Sequence, residues 1–214
     1  MMTTVATGDL LSLDEYARVR PDYRRRIIEM KNRRRVMIGA HISLLFESRE
    51  TILYQIQEMI WVERMTNSAR IAQEIAEYER LVPRAQELTA TLMVHGGSWE
   101  AGRMLLDGLM MQKSAVFLRI GHRVIPAETL LPFGDADCPV QYLRFPLDAN
   151  AVDMLAHRRA DVFLGATYAG RLEIVPLSPE TVNELALESR ASRVRRANGP
   201  RLQTETNIPQ KESK

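Results

Sequence analysis

RRRVMIGAHISLLFESRETILYQIQEMIWVERM, residues 33–65, is the densest run of apolar, aromatic and regularly placed polar residues in the chain. Its first half alternates as a strand does, and its second half changes to helical spacing. Val36, Met37 and Ile38 are followed by Gly39-Ala40 and then by 41–46. A glycine at the first position of a two-residue loop favours a type II′ hairpin turn. Alternation then divides the side chains between two faces. Met37, Ile42, Leu44 and Phe46 are expected on one, and Val36, Ile38, His41, Ser43, Leu45 and Glu47 on the other. Ser48 can cap a helix over 49–66. Ile52, Ile56, Met59 and Glu63 recur at helical spacing, flanked by Leu53 and Ile60, and that stripe is expected to pack on the sheet. The product is a hairpin-plus-helix core unit.

On the N-terminal side, residues 1–8 are small and polar and expected to fray. Ser12 and Glu15 have the spacing of a capping box. Pro21 is expected to end or kink the first helix, leaving a second helical piece over 22–32. On the C-terminal side, Asn67 or Ser68 can cap a helix bearing Ile71, Ile75, Tyr78 and Val82, which Pro83 stops. Residues 87–95 alternate as a strand, and Ser98 can cap the helix that follows. Residues 115–127 read as strand turned at Gly121-His122, and 131–139 as a loop holding Cys138. A strand over 142–147, a helix capped by Asp148 and running to 159, and a hairpin over 161–176 turned at Ala169-Gly170 come next. Ser178-Pro179-Glu180 opens a last helix with proline at its first position. After Ser189 the pattern fails, and 190–214 is a basic, polar tail expected to be disordered and removable without loss of the fold. The fold class is α+β: one domain over 9–189, with a mainly antiparallel sheet covered by helices.

Composition removes several function classes. The single cysteine excludes an intramolecular disulfide and a zinc or iron–sulfur site built on cysteines of one chain, and it suits a reducing, cytoplasmic setting. The first residues have neither the basic nor the apolar region of a signal peptide. No apolar run approaches the ~20 residues a membrane span needs. A net charge of +2 argues for nucleic acid only if it is clustered. It is clustered once, over 24–35, where Arg24, Arg25, Arg26, Lys31, Arg33, Arg34 and Arg35 face only Glu29. A solvated helix face and a blunted strand edge explain that run better than a phosphate-binding patch, because no aromatic or glycine pattern for base stacking accompanies it.

Several stretches resemble the bacterial family of unknown function DUF3501. They are LSLDEYARVRPDYR (11–24), RRVMIGAHISLLFESRETILYQIQEMIWVER (34–64), ATLM (90–93), YLRFPL (142–147) and IVPLSPETVNEL (174–185). The resemblance covers about residues 9–189 and is carried by the 34–64 block. It implies no activity and no catalytic residues. Genes of the family stand beside those of rubrerythrin-like and iron–sulfur proteins, which implies a redox or peroxide-stress context and a redox protein as partner.

Few residue patterns in the chain spell out chemistry. The four histidines are scattered, and no H-x-x-H, E-x-x-H or H-E-x-x-H occurs. An iron site from His41, Glu47, Glu58 and Glu63 would span hairpin and helix, but Glu58 and Glu63 lie about 140° apart around a helix. Ser43 is two residues from His41, about 7 Å along a strand and too far for direct proton transfer. No G-x-S-x-G, P-loop or G-x-G-x-x-G is present, and Gly96-Gly97-Ser98 reads as a strand-to-helix turn. What stands out is a polar cluster in apolar surroundings: His41, Glu47, Arg49, Gln55, Glu58 and Glu63, with Tyr54, Gln57 and Arg64. Such groups either satisfy one another or line a ligand pocket. Glu63 is expected to pair with a buried arginine, so that Glu63→Ala costs ~2 kcal/mol or more. The leading expectation is a non-catalytic accessory or small-ligand-binding protein whose cofactor, if any, the sequence leaves unknown. The alternatives are a metal-dependent redox protein using His41, Glu47 and Glu58, and nucleic-acid binding through 24–35.

Overall fold

The computed structural model describes residues 5–95, 97–112, 114–130 and 140–197, with side chains to Ser189. A short 3-10 turn, Thr7–Asp9, leads to α1 (Leu13–Arg34). Ser12 and Glu15 form the expected capping box. However, α1 runs through Pro21 as one helix rather than two. Proline removes the amide that would bond the Ala17 carbonyl, but both residues are on the exposed side, where water can serve that carbonyl instead.

β1 (Arg35–Ile38) and β2 (Ile42–Phe46) form the hairpin. Their register pairs Ile38 with Ile42 and Val36 with Leu44. The loop is therefore Gly39-Ala40-His41, one residue longer than a two-residue turn. That extra residue changes which side chains share a face, because strand side chains alternate with period two. Val36 and Ile38 join Ile42, Leu44 and Phe46 in the core, and Met37 is exposed on the other side. Gly39 has φ +59° and sits against the second sheet. A Cβ there would strike the Tyr168 hydroxyl and the Glu173 carboxylate.

After α2 (Arg49–Val62) and α3 (Ser68–Glu79) come β3 (Glu87–Val94), α4 (Trp99–Met111), β4 (Val116–Ile120), β5 (Arg123–Pro126), β6 (Glu128–Thr129) and β7 (Val140–Pro146). The chain closes with α5 (Ala149–Ala156), β8 (Val162–Tyr168), β9 (Arg171–Pro176) and α6 (Pro179–Ala197). Ser48, Asn67, Ser98 and Asp148 all cap as expected. The expected helices over 49–66 and through 159 end earlier, at Val62 and Ala156. Each stops in a six-residue C-terminal motif whose left-handed residue is an arginine, Arg64 or Arg158. α6 passes Ser189 and reaches Ala197, so a boundary at 189 would cut a helix. The loop 131–139, with Cys138, and the tail beyond 197 lie outside the described residues.

Two antiparallel sheets result, in the orders β1-β2-β3-β7-β6 and β5-β4-β8-β9. They share one core. Ile42, Leu44, Phe46, Leu92, Leu143 and Phe145 of the first sheet belong to the same apolar cluster as Leu118, Ile120, Val162 and Leu164 of the second, with residues of α4, α5 and α6. The opposite face of the first sheet carries Tyr142. There a second cluster forms around Ile52, Ile56 and Ile60 of α2, with Ile75, Leu81 and Val82. The buried stripe of α2 is thus Ile52–Ile56–Ile60, and Met59 and Glu63 flank it. Among the described residues, no helix is long and apolar enough to cross a membrane. The observed class is α+β, with two antiparallel sheets and the hairpin-plus-helix unit at the β1 edge of the first sheet.

Candidate functional site

The polar cluster read from the sequence divides into separate parts. Glu47 follows β2 and is 3% exposed. Its carboxylate accepts from the Thr51 and Thr91 hydroxyls, each at 2.6 Å. Thr51 also closes the capping box with Ser48. The Arg34 guanidinium donates to the Glu47 carbonyl at 3.2 Å and pairs with Glu184 at 3.1 Å and Glu188 at 3.6 Å. One buried arginine therefore ties the C-terminal end of α1 to the β2–α2 junction and to α6.

Glu58, one turn beyond Tyr54 on α2, faces α1. It accepts from the Tyr16 hydroxyl at 2.5 Å and from Arg20 Nε and Nη2 at 2.7 and 2.8 Å. Burial alone would raise the Glu58 pKa, but the Arg20 and Tyr16 hydrogen bonds hold it below the usual carboxylate range. Tyr16 is pushed well above an ordinary phenol, by burial first and by its hydrogen bond to the Glu58 carboxylate second. Tyr16 packs edge-on to Tyr23, and Tyr23 edge-on to Tyr54. Gln57 is buried and acts as a strand partner for the chain before α1. Its side chain accepts from the Leu11 amide at 2.8 Å and donates to the Leu11 carbonyl at 3.1 Å.

The remaining candidates lie elsewhere. His41 is exposed in the hairpin loop, and Glu47 is at the far end of β2, roughly 20 Å away at strand rise. Glu58 points to α1. These three do not converge on one ion, which corrects the metal-dependent reading built on them. Arg49 pairs with Asp9 at 2.7 Å, and Gln55 is half-buried. Glu63 caps the end of α2, is exposed, and pairs with Arg70 on the surface, so the buried Glu63–arginine pair is also corrected. Among the described residues, no three His, Cys, Asp or Glu side chains are grouped to hold a metal. Ser43 does meet a histidine, but it is His95 of the neighbouring strand end, Oγ to Nε2 at 2.6 Å. Ser43 is fully buried, so the contact satisfies a core hydroxyl and offers no nucleophile to a substrate.

Open space lies along one flank of α1. A cleft of about 590 Å³ is lined by Leu11, Arg18, Val19, Tyr23, Leu53 and others, and a second of about 460 Å³ continues it toward Met30 and Leu187. Tyr23, Arg26 and Leu53 line both. Arg26 reaches Glu50 at 2.7 Å and divides the groove at that point. Its walls combine apolar side chains with charged rims, the composition of a small-molecule or peptide site. Sequence reasoning missed Arg20, Tyr23, Arg34 and His95, because their partners come from other elements.

Comparison with known proteins places the chain among relatives whose function is not known. No curated protein matches the chain. A crystal structure of a protein of unknown function from Burkholderia pseudomallei is similar over 87% of this chain and 99% of its own, with 31% identity and a TM-score of 0.77. The family model described as "Protein of unknown function (DUF3501)" matches residues 4–188, and the chain belongs to that family.

Proposed function

We propose that this protein is a non-catalytic binding or accessory protein and that the groove between α1 and α2 receives a small ligand. One observation carries this reading. The enclosed carboxylates are satisfied within the fold, Glu47 by two threonines and Glu58 by Tyr16 and Arg20, while the groove beside them stays open with a mixed apolar and charged lining. Groups already bonded within the fold are poorly placed for chemistry, whereas an open cleft of this size suits a ligand. A cytoplasmic setting and a redox-protein partner complete the proposal. The first rests on the lone cysteine, the second on the family's genetic neighbourhood.

The test is a metabolite screen read by melting temperature, with Val19→Trp as control. Val19 is 45% exposed and lines the larger cleft, so tryptophan there fills space at little cost to the core. A ligand present at ~100 times its Kd stabilises by about 2.7 kcal/mol, several degrees for a chain of this length. That shift should vanish in Val19→Trp. A shift that persists in the variant, or turnover of any metabolite by the wild type, would defeat the proposal.

A further inference from the structure

The opposite flank of the α1–α2 seam carries a different surface. Arg20, Arg24, Ile28 and Lys31 follow one another at helical spacing along α1, and Tyr54, Glu58 and Trp61 do so along α2. The Arg20 guanidinium lies 4.1 Å from the Trp61 ring centroid, that of Arg64 5.3 Å from it, and the Lys31 ammonium 5.5 Å from the Tyr54 ring. Three cations thus lie against two aromatic rings, with Arg24 on the same stripe, beside one carboxylate, Glu58, which Arg20 and Tyr16 already occupy. Arg26, Arg33 and Arg34 are paired with Glu50, Glu184 and Glu188. Arg24, Lys31 and Arg64, by contrast, make no ion pair among the described residues. Ile28, between Arg24 and Lys31, is 47% exposed. The Trp61 indole N–H is buried and has no acceptor among the described residues.

We infer that this flank docks an acidic, carboxylate-rich segment of a partner protein. Unpaired cations held by aromatic rings favour an anion that is itself partly desolvated. Ile28 supplies an apolar contact in the middle of the stripe. The choice of a protein segment over single-stranded nucleic acid follows from the rings. Bases need free aromatic faces to stack on, and these faces are already covered by Arg20, Arg64 and Lys31. From Arg20 to Lys31 the stripe extends roughly 16 Å at helical rise, enough for a few carboxylates in an extended segment. This inference is independent of the ligand groove, because the two flanks share no lining residue.

The test uses the full chain with Trp99→Phe, leaving Trp61 as its one tryptophan, and a fluorescein-labelled peptide of glutamate and leucine. Binding should change Trp61 fluorescence and raise peptide anisotropy, and it should weaken at least ~tenfold as salt shortens the screening length from about 30 Å to about 10 Å. The double variant Arg24→Glu, Lys31→Glu should lose that binding while keeping a cooperative thermal transition, because both changes lie outside the core and remove only the Lys31–Tyr54 contact and the attraction of Arg24 for Glu58. Arg64→Gly separates docking from folding. Glycine relieves the left-handed residue at φ +51°, so the melting temperature should hold or rise while peptide affinity falls several-fold. No peptide binding up to ~1 mM, weaker than about −4 kcal/mol, would overturn the inference. So would unchanged affinity in the charge-reversed variant. Tighter binding of an oligothymidylate than of the peptide would overturn it too, by assigning the face to nucleic acid.

Discussion

Arg34 and Arg20 stand near opposite ends of α1, and each meets glutamate. Arg34 is 5% exposed, against Glu188 at 8% and Glu184 at 15%, and it joins elements about 150 residues apart in the chain. Arg20 is 24% exposed against Glu58 at 19%, and its guanidinium also lies over Trp61 at the surface. The first pair is sealed in the fold and positions α6. The second is a bridge between two helices that water and a partner can still reach. The same two residue types therefore lock the architecture at one end and shape a surface at the other. What separates them is solvent access, since water sets the cost of leaving a charge alone.

That contrast predicts unequal losses. Arg34→Met should destabilise by ~3–5 kcal/mol, because the buried Glu47 carbonyl loses its donor and the Glu184 and Glu188 carboxylates lose the cation between them. Thermal unfolding should shift down by roughly 10 °C. Adding Glu188→Gln should recover part of the loss, and a single-variant loss below ~1 kcal/mol would show the network to be dispensable. Glu58→Gln should cost about 1.5–3 kcal/mol, the range for hydrogen bonds to a charged group. The loss should depend on pH. The folded-state pKa of Glu58 is depressed, so its contribution is complete above the ordinary carboxylate range and is lost as pH falls through the lowered folded value. Urea titrations should show wild type and variant converging in acid, and a gap of constant size at all pH values would deny the linkage. Gln57→Ala should cost about 1–2 kcal/mol and act locally. It releases the chain at Leu11, so hydrogen exchange at the Leu11 amide should quicken well before the sheet is affected.

How much of this was legible beforehand follows the range of each interaction. Caps at Ser12, Ser48, Asn67, Ser98 and Asp148 were readable because donor and acceptor are two or three residues apart. The antiparallel hairpins and the α+β class were readable from alternation and turn residues. The hairpin faces were not, because one extra loop residue, His41, reverses them and leaves no mark on the local pattern. Pro21 misled for a related reason. Its penalty depends on whether the orphaned carbonyl meets water, and that is settled by packing. The candidate cluster was found as a region, since Glu47, Gln57 and Glu58 are indeed enclosed polar groups. Their partners Thr91, Leu11, Tyr16 and Arg20 lie 38 to 46 residues away, beyond any spacing rule.

The smallest effect is expected at Glu63, where the sequence predicted one of the larger ones. Helical spacing puts Glu63 in line with Ile52 and Ile56, but α2 ends at Val62 and the C-terminal motif turns the chain outward at Arg64. Met65 then folds back, its amide bonded to the Ile60 carbonyl at 2.9 Å, and takes the buried place that the stripe assigned to Glu63. Glu63 is left at the surface with Arg70, which is itself 60% exposed. Both charges remain solvated when the pair is broken, so Glu63→Ala should cost under ~1 kcal/mol, and a cycle with Arg70→Ala should show a coupling of about 0.2–1 kcal/mol. Raising the salt should shrink that coupling further. A loss of ~2 kcal/mol or more, insensitive to salt, would mean that Glu63 is buried against a charge, and the end of α2 would need redrawing. Measured beside Arg34→Met, this variant tests whether solvent access, rather than the number of ion pairs, decides which glutamates hold the fold.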